Sequence, residues 1–163
     1  MQLIKAYPLL YLIALTFYSV SVHGQTLRQE KMAQLRYLVG EWVGTTKTYN
    51  DGVVTKQGAA YEKIAYDLNR NILVIELNTE FLQLRTIISY NEEAKRYDYH
   101  RFSKDGAAVY PAEFKEEQLI VHRDEKTRFF FTSTPDGGFQ EYGEKWENGE
   151  WVKTFEDTFI NTE

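Results

Sequence analysis

The chain has 163 residues, 19 of them basic and 24 acidic, for a formal net charge of −5, and it contains no cysteine. That length holds one domain, and an acidic chain without a Lys/Arg cluster excludes nucleic acid as a partner, because it repels a phosphate backbone. The missing thiol excludes disulfides, thiolate metal sites, a cysteine nucleophile and a lipid-modified cysteine as a membrane tether.

Aromatic residues make up 15% of the chain, with 12 Tyr and 10 Phe, which favours strands because flat rings pack well on a pleated surface. The first 24 residues differ from the rest. Lys5 supplies a positive start, residues 9–22 read "LLYLIALTFYSVSV", and "VHG" places Val22 and Gly24 three and one residues before Gln25. That order is expected of a secretory signal peptide cut before Gln25. The apolar run is shorter than the roughly 20 residues of a membrane span, and Pro8 interrupts its start. Cleavage gives an exported product, periplasmic or secreted, with no stable membrane anchor. The remaining domain, 25–163, loses Lys5 and no acid, so it carries 18 basic and 24 acidic residues.

Residues 26–38, "TLRQEKMAQLRYL", place Leu27, Met32, Leu35 and Leu38 at near-helical spacing, with Thr26 able to cap the start. One short amphipathic helix is expected there. Beyond it, turn signals such as "NDG" 50–52, "DLNRN" 67–71, "KDG" 104–106, "TPDGG" 134–138 and "ENGE" 147–150 punctuate the chain. Between the turns lie runs rich in Val, Ile, Thr, Tyr and Phe at 41–49, 53–66, 72–79, 81–90, 96–103, 107–114, 119–123, 128–133, 139–146 and 151–160. They read as about ten strands. Short connections make neighbours antiparallel, and a meander this long buries its edges by closing into an up-and-down barrel.

Asn148-Gly149 is the strongest two-residue hairpin signal. The turn pairs Trp146 with Trp151, Glu144 with Lys153 and, by strict alternation, Tyr142 with Phe155. The face carrying Trp146, Trp151, Tyr142 and Phe155, continuing to Phe159, is expected to be the inner one. Glu144 and Lys153 then point inward, while Lys145, Glu147, Glu150, Glu141, Glu156 and Thr154 lie outside.

"GEW" at 40–42 resembles the Gly-x-Trp signature of lipocalin-type (calycin) barrels, which also follows a short helix. With Gly44, the pattern Gly-x-Trp-x-Gly is similar to lipocalin-like domains of exported bacterial proteins of unknown function and, more distantly, to nitrobindin-type haem-binding barrels. Gly40 and Gly44 give a sharply curving strand backbone freedom and room, so the large Trp42 ring can fold across the closed end of the barrel, and the resemblance implies that a small molecule occupies the interior. The nitrobindin-type pattern places another Gly where this chain has Thr46, and holds haem through a His near the C-terminal strands. The last His here is His122. No haem, metal or other cofactor is therefore expected.

Candidate ligand-binding residues are Trp42, Tyr142, Glu144, Lys153 and Phe155, together with Glu76, Arg85, His100 and His122, whose strands permit either face. Glu76 interrupts the apolar run "ILVIELN" as an inward acid of raised pKa or an ordinary outward residue. Arg85 and Arg101 are suited to a ligand carboxylate if they face inward. No catalytic motif is present. The expected function is binding of a small, largely apolar molecule. The alternatives are a haem barrel, a small-barrel enzyme using Glu76 or Glu144, and a filled barrel serving as an interaction module.

Overall fold

A computed structural model describes residues 25–162; the expected signal segment and its cut site lie outside or at the edge of the described residues. Helix α1 (Leu27–Ala33) begins at a capping box: the Thr26 hydroxyl accepts from the Gln29 N–H, and the Gln29 side chain accepts from the Thr26 N–H. The expected short helix forms but ends at Ala33 rather than Leu38. Residues Arg36–Leu38 form a separate 3-10 turn. The break lies where barrel tyrosines reach the helix: the Lys31 carbonyl accepts from the Tyr97 hydroxyl at 2.7 Å and the Met32 carbonyl from the Tyr66 hydroxyl at 2.9 Å. Met32, Leu35 and Leu38 are fully buried and close one end of the barrel.

All ten expected strands form: β1 (Gly40–Asn50), β2 (Val53–Asp67), β3 (Ile72–Thr79), β4 (Gln83–Asn91), β5 (Arg96–Ser103), β6 (Gly106–Lys115), β7 (Gln118–Asp124), β8 (Thr127–Ser133), β9 (Phe139–Glu147) and β10 (Glu150–Asn161). Each pairs antiparallel with the next, and β1 pairs with β10 from Trp42↔Asn161 to Thr48↔Phe155, so the sheet is a closed up-and-down barrel. Closure leaves no unpaired edge.

The closed half holds the apolar core. Leu73, Ile88, Leu119, Val121, Phe131, Phe139 and Phe159 are completely or almost completely buried there, against the helical cap. Trp42 belongs to this layer. Its indole N–H donates to the Leu38 carbonyl at 2.8 Å, and its ring meets Phe139 edge-on at 4.9 Å between centroids.

The final hairpin corrects the expected faces. Asn148 and Gly149 both have positive φ, 52° and 92°, as a tight hairpin turn requires. The pairs Trp146↔Trp151, Lys145↔Val152 and Glu144↔Lys153 follow in the expected register. A bulge at Thr154 then shifts it, so Phe155 faces Gly143 and Tyr142 faces Glu156. Trp146, Trp151, Glu144, Lys153 and Tyr142 lie on the outer face. Phe155 and Phe159 point inward, as expected, because the bulge turns β10 over beyond Lys153. Gly143 makes room for this: a methyl group built on it would overlap the Phe155 ring.

Candidate functional site

The half of the barrel away from α1 is hollow. A cavity of about 720 Å³ opens at that end, with Leu77, Leu84, Tyr110, Phe129 and Phe155 on its walls and Phe81 and Leu82 of the β3–β4 turn at its rim. Cations stand toward the mouth. Arg101 follows the buried Tyr99 on β5, Arg123 closes β7 beside Asp124, and Lys145 lies near the end of β9, where it donates to Glu147 at 2.7 Å.

Between the cavity and the apolar core lies a polar layer. Thr46, Thr86, Glu62, Glu141 and Asp157 are the buried polar or charged residues among those described. Register explains the grouping: Asp157 pairs with Thr46 on one side and Glu141 on the other, while Glu62 pairs with Trp42. Thr46, Glu141, Asp157 and Tyr99 line the cavity. The Thr86 hydroxyl lies 3.3 Å from that of Tyr99.

Burial sets the protonation of this layer. It pushes the Glu62 carboxyl up to about 8, with the neighbouring Asp157 charge adding to the rise. Glu141 is raised well above the usual carboxylate range by burial, then by Glu62 and Asp157. Asp157 is pushed up to about 6 by burial, less far because the Thr46 hydroxyl favours its ionised form. Both Glu62 oxygens and Asp157 Oδ1 are buried without a hydrogen-bond partner. Such a layer can hold protons at neutral pH and accept hydrogen bonds from a guest. No grouping of three or more His, Asp or Glu among the described residues has the geometry to hold a metal ion.

Only two of the nine candidate residues face the interior. Phe155 lines the cavity, and Trp42 lies beneath it in the core. Glu76 and Arg85 form a cross-strand ion pair outside the barrel. His100 alternates with the inward Tyr99 and Arg101, and so projects outward; His122 lies outside with its Nε2 3.1 Å from Glu113. Tyr142 stacks on Phe130 at 4.7 Å, Glu144 accepts two hydrogen bonds from Arg128, and Lys153 pairs with Glu156, all on the outer surface. The Arg128 guanidinium lies 3.9 Å from the centroid of Trp151. This outer cluster satisfies the aromatic residues that alternation alone assigned to the core.

The acids that do face inward had a signal in the sequence. Glu62 falls in step with Ala60 and Ile64, and Asp157 in step with Phe155 and Phe159. Glu141, expected outside, follows the buried Phe139 by two residues.

No family model matches the sequence, and no curated protein matches it. Among solved structures, a protein of unknown function from the DUF3598 family of Nostoc punctiforme PCC 73102 is similar with a TM-score of 0.28 and 8% identity, over 85% of this chain and 100% of that one. The barrel is shown by the strand pairing of this chain itself.

Proposed function

We propose that the protein is an exported, lipocalin-like carrier that binds one small, largely apolar molecule inside its barrel. The observation that carries this reading is the open cavity of about 720 Å³ with aliphatic and aromatic walls. It falls within the roughly 300–1,000 Å³ of ordinary small-molecule sites, and a barrel encloses its guest on all sides but one. The apolar wall supplies the affinity, and the carboxylates and arginines orient the guest. His100 and His122, the imidazoles among the described residues, project away from this space, which favours an apolar organic guest over haem.

Titration with an environment-sensitive apolar dye tests the reading. The dye is expected to brighten at one equivalent, and Phe129→Arg or Phe155→Arg to weaken it by about tenfold or more, roughly 1.4 kcal/mol. Tyr142→Ala, on the outer face, leaves it unchanged. A folded protein that binds no dye defeats the carrier reading. A one-to-one haem Soret band abolished by His100→Ala or His122→Ala replaces it with the haem reading.

A further inference from the structure

The carrier reading leaves the guest's polar end open, and the polar layer specifies it. Glu62, Glu141 and Asp157 are respectively 0%, 5% and 3% exposed. None of the ion pairs among the described residues includes any of them. Burying an acid without a partner is costly, and Asp157 combines such an orphaned oxygen with a place on the cavity wall. The cations that share the cavity stand nearer the mouth, where Lys145 is held by Glu147, Arg101 donates to Ser103 and Arg123 ends β7 next to Asp124. The interior is therefore acidic at its depth, apolar along its length and basic at its rim.

Resting on the carrier reading, we propose that the guest is an amphipathic primary amine that enters head first, its ammonium group held by Asp157 and Glu141 and its apolar body lying along Phe129, Phe155, Leu77 and Leu84. An ammonium donates three hydrogen bonds and brings the positive charge this layer lacks. A carboxylate head repels whichever of these acids is ionised. A hydroxyl donates a single hydrogen bond and brings no positive charge to favour their ionised forms.

Proton linkage gives the proposal a second signature. The titratable groups facing the Asp157–Glu141 pair are Glu62 on β2, Tyr99 and Arg101 on β5, Tyr110 on β6, Arg123 and Asp124 on β7 and Lys145 on β9; Glu156, on the outer face of β10, adds to the negative field at Asp157. Burial keeps protons on the acids of the empty cavity. A bound cation favours their ionised forms, so binding releases protons, and affinity rises with pH through the range where Asp157 titrates, about 6.

Calorimetry with octylamine, octanol and octanoate, in buffers of different ionisation enthalpy, tests this. Octylamine is expected to bind at least about tenfold more tightly than octanol, with octanoate weakest, and to release protons into the buffer. The double variant Glu141→Gln, Asp157→Asn is expected to lose the preference for octylamine while still binding octanol, which shows that the barrel is intact. Octanol or octanoate binding as tightly as octylamine overturns the amine assignment and leaves the carrier reading standing. So does a protein that takes the apolar dye but not octylamine, or a double variant that keeps its preference. Failure of every probe and of the dye overturns both.

Discussion

Trp42 sits where a large ring must fill the closed end while its own strand passes close to a neighbour. Its size and the adjoining glycines made that role legible in the sequence, and the ring indeed packs on Phe139 with its N–H on the Leu38 carbonyl. Trp42→Ala removes both contacts from a fully packed layer and is expected to cost roughly 3–5 kcal/mol. Denaturant unfolding measures it, and a loss below about 1 kcal/mol in a two-state transition shows that the layer does not depend on the ring. Glu144 and Lys153 were less legible. Their pairing was correct, but a charged pair reads the same way in sequence whether it faces a cavity or water.

Among the elements, β1 and β10 carry the closure. Gly44 lies against the backbone of Thr158 and Phe159, and a methyl group built on it would overlap the Thr158 carbonyl. Gly44→Ala therefore forces the two strands apart. It is expected to destabilise the barrel by about 1–3 kcal/mol, the usual cost of overpacking, and to speed amide exchange along β1 and β10 before the other strands. Uniform exchange across all strands counts against a local seam. The bulge at Thr154 belongs to the same scale. Turn chemistry at Asn148-Gly149 specifies register only as far as the ladder stays regular, and one extra residue reverses every side chain beyond it. That is why Tyr142 and Phe155, expected to share a face, lie on opposite ones.

For the whole molecule, the acidic layer makes stability depend on pH in an unusual direction. Glu62, Glu141 and Asp157 hold protons in the folded state that they give up when unfolded. The folded state then binds more protons than the unfolded one, so stability falls as pH rises from the unfolded carboxyl range, near 4, toward about 8, where Glu62 titrates. One fully shifted group contributes a slope of up to about 1.4 kcal/mol per pH unit. Thermal melts of the ligand-free protein are expected to show a lower Tm at about pH 8 than at about pH 5. Glu62→Gln, neutral at every pH, is expected to flatten that slope and raise the Tm at the upper end. An unchanged slope in the variant removes Glu62 as its source.

The strand number, the antiparallel order and the single short helix with its Thr26 cap were determined by the sequence alone, because turn chemistry and hydrophobic period are local and repeat ten times over. Local chemistry also set the start of the last hairpin and the burial of Trp42. The choice of inner face was decided only by the tertiary structure. A period of two divides a strand into two faces without saying which is buried, and aromatic side chains suit either when the outer one is covered by stacked rings and an arginine, as Phe130, Tyr142, Trp151 and Arg128 are here. The same holds for the acids. Glu141 and Asp157 face each other across the β9–β10 hairpin, but Glu62 lies far off in the chain on β2, and only barrel closure, which sets β1 between β2 and β10, brings it into the same layer.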